Sequence, residues 1–208
     1  MRPKHLFLIT LLAVFFVSCN KKQSQPLNFD YGKVENNVYS NSFFKFSIQI
    51  PPIWETLTQE QNQNLMDVES ADKKADVEHT SVNLLTVLQN DYENSGADFF
   101  ANLSIIAENL KGSDRVKNGT DYLMLTRIAL DDTGIKREYP DRGTVIETIN
   151  GTEFSTMRVN TVDPSLKFSQ KFYTTIINGY ALTFIESFGD ENQQIELNKI
   201  IQTLKITE

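Results

Sequence analysis

Apolar and polar positions alternate without a break from Phe44 to Ile50 (FKFSIQI), placing Phe44, Phe46, Ile48 and Ile50 on one side of an extended chain. A period of two marks a half-buried strand. Pro51-Pro52 ends it, because proline cannot donate to a β-ladder, and Trp54 follows. The next segment, Thr56 to Glu78, is polar and charged, with few large apolar groups, Leu57, Leu65, Met66 and Val68 among them. That pattern predicts one surface helix and a loop. Ser81 to Leu88 and Asn102 to Ala107 predict two more strands, separated by Asn90 to Ala101 with its turn formers Asn94-Ser95-Gly96. From Asn118 to Leu130, Tyr122, Leu125 and Ala129 recur at helical spacing, and Leu123, Met124 and Ile128 widen the stripe, which predicts an amphipathic helix.

The sharpest punctuation comes later. Asn150-Gly151 separates Thr144–Ile149 from Thr152–Val159, and Asn178-Gly179 separates Phe168–Ile177 from Tyr180–Phe188. An Asn-Gly pair between β-forming runs predicts a tight hairpin with a type I′ turn, since both central residues must take positive φ. Asp163-Pro164 predicts the turn between the hairpins. Gly189 ends the last strand, Asp190 is placed to cap a helix with Gln193 at the capping-box position, and Leu197, Ile200, Ile201 and Leu204 form its apolar face. The sum is an α+β domain: a mostly antiparallel sheet of about seven strands with helices packed on it.

The N-terminus follows a different logic. Arg2 and Lys4 precede an apolar run from Leu6 to Val17, interrupted only by Thr10. Twelve residues are too few to cross a bilayer, which takes about 20, and the pattern is that of a signal-peptide core. Phe16-Val17-Ser18-Cys19 follows, and it resembles the bacterial lipobox, whose cysteine is lipidated and becomes the first residue after cleavage. Cys19 is the chain's one cysteine, so no intramolecular disulfide competes for it. The expected organisation is a signal peptide over 1–18, a lipidated Cys19 and polar tether over 19–37, and one domain over 38–208. Lys21 and Lys22 shortly after the cysteine, where some bacteria carry acidic surface-export signals, point to a periplasm-facing outer-membrane location.

Charge narrows the partners. The chain carries a formal net charge of −7; without the leader, which holds Arg2 and Lys4 and no acid, it is −9. An acidic body lacks the clustered bases that bind nucleic acid, and it also argues against adsorption of the domain to anionic headgroups. Fourteen Phe and seven Tyr suit a β-rich core.

The order of these features is familiar. A FxFSIxIPPxW strand (Phe44 to Trp54), a polar helix, a strand pair, a helix, hairpins with an ING turn, the run NGYALTF (Asn178 to Phe184) and a terminal helix ending in TLKI resemble the Mog1/PsbP-like fold, and within it the DcrB-type bacterial lipoproteins. The resemblance spans Val38 to Ile206. It implies a binding, assembly or chaperone module rather than an enzyme, and it implies no substrate.

Chemistry-bearing residues are sparse. His79 is the one histidine outside the leader, and Glu78-His79-Thr80-Ser81 lacks the glycines of a nucleophile elbow. Zinc asks for three or four His, Cys, Asp or Glu ligands, so neither a metal nor a cofactor is expected. Asp131-Asp132, and Asp67 with Glu69 and Asp72, lack the spacing of a calcium loop. Asn102, Asn118 and Asn150 match the glycosylation acceptor pattern, but a turn role accounts for such residues. Trp54 and the pair Phe99-Phe100 are the candidate lining of a groove for an apolar ligand or partner, with core packing as the competing role. The expected function is therefore a membrane-anchored, non-catalytic binding or envelope-assembly module. A carboxylate-dependent envelope hydrolase is the alternative, with Glu147 and Glu153, or Glu186 and Asp190, as its acid pairs.

Overall fold

The protein is described by a computed structural model covering residues 26, 28–62, 64, 81–89, 101–163 and 166–207. Cys19, Asp67, Glu69, Asp72, His79, Phe99 and Phe100 lie outside the described residues, as does the turn residue Pro164.

Two antiparallel sheets carry the fold. The small one comprises β1 (Lys33–Glu35), β2 (Val38–Asn41), β3 (Phe46–Gln49) and the last strand, β12 (Lys205–Ile206), in the order β1-β2-β3-β12. The large one comprises β4 (Trp54–Thr56), β5 (Ser81–Gln89), β6 (Asn102–Asn109), β7 (Arg137–Glu138), β8 (Val145–Ile149), β9 (Thr152–Asp163), β10 (Leu166–Ile177) and β11 (Tyr180–Phe188). Its order is β4-β5-β6-β11-β10-β9, with β7 and β8 sharing the outer edge of β9. Helix α1 (Gly119–Asp132) packs on one face, against β9 and β10. Helix α2 (Glu191–Ile201) covers the other face with the small sheet.

Strand alternation sorts the side chains into two cores. On β11, Tyr180, Leu182, Phe184 and Phe188 enter the core shared with the small sheet and α2. Ala181 and Ile185 enter the core beneath α1, with Met157, Val159, Phe172 and Leu123. The FKFSIQI pattern is realised as read: Phe44, Phe46, Ile48 and Ile50 are all buried in the first core. Its ladder starts only at Phe46, because Lys45 takes φ 52° in the preceding turn.

Both Asn-Gly pairs form the predicted turns. Asn150 and Gly151 have φ 48° and 89°, Asn178 and Gly179 have φ 53° and 77°. Their asparagines do more than turn the chain. Asn150 Nδ2 donates to Gln202 O and Leu204 O, both at 2.8 Å, and Asn178 Nδ2 donates to Phe43 O at 2.6 Å. Each hairpin tip of the large sheet therefore grips a backbone carbonyl of the layer above it. Asn118 caps α1 by accepting from Asp121 N, and Asp190 caps α2 by accepting from Gln193 N. The Gln193 side chain closes the box one residue early, accepting from Gly189 N at 2.7 Å.

Two expectations need correction. The domain begins before residue 38: 28–37 belongs to it, with Phe29 packed among Tyr31, Phe43, Phe44 and Tyr180. This segment looked like tether because β1 is an exposed edge strand with no alternation, while its turn is made by Asn36 and Asn37 at φ 50° and 61°. The α+β, mostly antiparallel architecture stands as expected; among the described residues its strands divide into an eight-stranded sheet and a separate four-stranded one, since short strands such as β7 and β12 are too brief to show a period. Second, the α1 stripe is narrower than its apolar residues imply. Gly119, Tyr122, Leu123, Thr126 and Leu130 are buried, whereas Met124 and Ile128 are 58% and 57% exposed. Gly119 fixes the rotation, because a Cβ there would lie 2.6 Å from Thr174 O.

The Asn150 clamp is separable from its turn. Asn150→Gly keeps a residue at ease in positive φ but removes both side-chain bonds, and it should lower unfolding free energy by about 1–2 kcal/mol. Equilibrium urea denaturation checks this, and unchanged stability would show that the clamp contributes nothing.

Candidate functional site

The outer face of the small sheet holds a concavity of about 680 Å³. Its floor follows from the register: Lys33 pairs with Ser40, Ser40 with Ser47, and Ser47 with Lys205. One row across four strands thus runs lysine, serine, serine, lysine, with Lys45 and Thr207 on the rim. Directly paired residues share a face, and the inward side of the same strands is occupied by Tyr39, Phe46 and Ile48. Small hydroxylated side chains leave the centre of the row low, while the lysines stand at its ends.

The N-terminal segment forms one wall. Asp30 accepts from Gly32 N at 2.8 Å and from Ser42 N and Oγ, both at 2.7 Å. Burial pushes its carboxyl up, but the donors from Ser42 and Gly32, with Lys33, outweigh that and hold it below the usual range. Buried Asn41 donates to Asp30 O at 2.8 Å and accepts from Phe44 N at 2.9 Å. Tyr39 donates to Tyr31 O at 2.7 Å. Gly32, at φ 78°, admits no side chain, because a Cβ would fall 2.3 Å from the Tyr39 hydroxyl. Of the three lysines, Lys33 bonds Glu35 at 2.9 Å. No ion pair or hydrogen bond of the Lys45 or Lys205 side chain occurs among the described residues.

Other charged groups sit inside the fold. On the face shared with α2, Lys171 pairs with Glu147 at 2.9 Å and lies 4.6 Å from the Tyr173 ring centroid. Tyr173 donates to Glu186 Oε2 at 3.2 Å. Glu186 is fully buried, and its Oε1 has no hydrogen-bond partner among the described residues. Burial pushes Glu186 up to about 7, against the pull of Lys171 and the Tyr173 hydroxyl. Beneath α1, Glu108 accepts from the Tyr122 hydroxyl at 2.8 Å, and burial likewise pushes it up to about 7.

The acid pairs named from sequence do not converge. Glu147 is opposite Phe154 and Glu153 opposite Thr148, so they occupy opposite faces of the sheet. Asp190 is engaged as the α2 cap while Glu186 is sealed beneath the helix. Asp131 accepts from the Tyr139 hydroxyl at 2.6 Å and lies 3.9 Å from Arg127. Trp54 is 7% exposed and belongs to the core; its role is packing, not the wall of an open groove. Among the described residues no three His, Cys, Asp or Glu gather as a metal-holding group, and no helix is long and apolar enough to cross a membrane. The lysine-serine row escaped the sequence reading because its members are far apart in the chain; only strand pairing brings residues 33 and 205 together.

No protein-family model matches the chain, and no curated protein matches it by sequence. Its architecture does match solved structures. The solution structure of cyanobacterial PsbP (CyanoP) from Synechocystis sp. PCC 6803 superposes with TM-score 0.51 at 14% identity, covering 82% of this chain and 91% of that one. The fold is Mog1/PsbP-like. A Bacteroides thetaiotaomicron VPI-5482 protein matches at TM-score 0.44 and 11% identity, over 84% of this chain and 50% of that one. The Saccharomyces cerevisiae Ran-binding protein Mog1p matches at TM-score 0.44 and 10% identity, over 84% and 96%. In this Mog1/PsbP-like domain the groove occupies the small sheet, away from both sealed carboxyls.

The sealed acids have a measurable consequence. An acid near 7 in the fold and at its ordinary 4.5 when unfolded binds more protons in the native state between those values, so stability falls as pH rises through that window. Ionising Glu108 should cost of the order of 3 kcal/mol. Glu108→Gln is expected to flatten the decline between pH 4.5 and 7 and to exceed the wild type in stability at pH 8. Urea titrations at pH 5 and pH 8 decide it, and parallel curves for the two proteins would reject the raised acid.

Proposed function

We propose that the protein is a lipid-anchored bacterial envelope protein whose Mog1/PsbP-like domain serves as a non-catalytic binding module, carried on the periplasmic side of the outer membrane. The anchor rests on the short apolar leader ending at Cys19. One acyl chain holds a membrane only marginally, and two or more hold it stably, so a lipobox cysteine is a sufficient attachment.

The observation that carries the binding role is the groove. It combines a serine floor, a threonine and three lysines, a set suited to holding a ligand by hydrogen bonds and charge. It offers no paired acids for proton transfer. The hydrolase alternative has less support, because glycoside cleavage needs two carboxyls facing a substrate across a cleft, whereas Glu186 and Glu108 are closed off from solvent. Resemblance to DcrB-type lipoproteins belongs with this proposal and supplies no ligand.

Replacing Cys19 by Ala should move the protein from the membrane fraction to the soluble periplasmic extract. Mass spectrometry of the wild type should show Cys19 as the first residue, carrying acyl chains. An unmodified thiol, or the leader still attached, would overturn the anchor.

A further inference from the structure

We infer that the outer face of the small sheet is a headgroup-facing surface: Lys33, Lys45 and Lys205, with the hydroxyls between them, lie against anionic phosphates of the membrane that holds Cys19. This deepens the reading above and rests on it for the anchor.

Three observations converge. The first is charge, since these lysines share one face of a chain whose formal net charge is −7. Asp30, whose carboxylate accepts from Ser42 and Gly32, and Glu35, paired with Lys33, offset part of that charge, and the face stays net positive through Lys45 and Lys205. Lys45 and Lys205 extend from the rim without an acidic partner among the described residues, and both are exposed.

The second is the path of the chain. Asp30 and Gly32 line the groove, and Cys19 lies eleven residues before Asp30 in the sequence. A chain of that length can span at most about 38 Å. The rim therefore stays within that distance of the anchored cysteine. Lys21 and Lys22 in the intervening sequence add charge of the same sign. The expectation that an acidic domain avoids anionic headgroups treats its charge as evenly spread; here the bases are gathered where the chain enters.

The third is shape. Strands about 4.8 Å apart put Lys33 and Lys205 roughly 14 Å apart at the backbone. Ser40 and Ser47 between them leave a depression in which a phosphate can accept from hydroxyls while lysines flank it. A flat apolar face would offer neither donors nor depth. α1, with its exposed Met124 and Ile128, then faces away from the bilayer.

The test separates the face from the anchor by using the processed chain with Cys19→Ser, which no lipid can hold. At low salt it should co-sediment with phosphatidylcholine vesicles containing 30% phosphatidylglycerol and not with phosphatidylcholine alone. Each lysine removed should weaken binding by about fivefold, so Lys33→Gln/Lys45→Gln/Lys205→Gln should lose about a hundredfold. A control triple change at exposed lysines off this face, Lys111→Gln/Lys117→Gln/Lys199→Gln, should lose far less. Circular dichroism shows that both variants fold. Absence of anionic-vesicle binding, or equal losses in both triples, overturns the headgroup surface while leaving the anchor to stand on its mass spectrum. If the first triple leaves vesicle binding intact but abolishes capture of an acidic envelope protein, the face is a protein-docking site and the proposal fails.

Discussion

Every other layer of this protein answers to the burial of β11 on both faces. All nine residues from Tyr180 to Phe188 are buried, so the strand needs a covering layer on each side. α1 supplies one, and α2 with the small sheet supplies the other. Thr183, Glu186 and Ser187, the polar residues caught in this strand, each have a cross-strand partner, although Glu186 Oε1 has none among the described residues. Thr183 bonds Thr174 at 2.9 Å, Gln170 donates to Ser187 at 3.1 Å, and Glu186 receives the Tyr173 hydroxyl. A buried polar group without a partner costs the full loss of its hydration, so these pairs specify register as well as stability: a slip of one residue would separate all three.

The same constraint encloses some of the charged groups. Glu108, Lys171 and Glu186 of the large sheet are buried, and burial raises the two acids toward neutrality. The lysines on the outer face of the small sheet are exposed to water. The proposed binding surface thus lies on the peripheral layer, which the core holds through Phe46 and Ile48 and which the two hairpin asparagines fasten from below.

Much of this was legible in the sequence where a local rule acted alone. The two Asn-Gly turns, the Asp190 cap and the FKFSIQI strand each follow from a few adjacent residues, and each stands where those residues placed it. Legibility failed where the deciding partner was distant. The segment 28–37 lacks periodicity and is fastened by Asn41 and Tyr39, which nothing in its own composition announces. Met124 and Ile128 have the right spacing for a buried stripe, yet the contact of Gly119 with Thr174 turns them outward. The lysine-serine row was illegible for the same reason, being the product of strand order. Trp54 shows the converse error: a large aromatic beside a proline pair looked free to line a groove, and the antiparallel pairing of β4 with β5 holds it inside.

The small sheet is closed by the last strand of the chain. β12 pairs with β3, and Thr207 N donates to Lys45 O across 162 residues. Non-local contacts of that span form late, since the loop they close must be ordered first. A nascent chain therefore carries Phe44, Phe46, Ile48 and Ile50 without their full cover until β11, α2 and β12 have been synthesised, and truncation just before Lys205 would remove one rim of the groove and leave β3 as an open edge prone to pairing with another molecule.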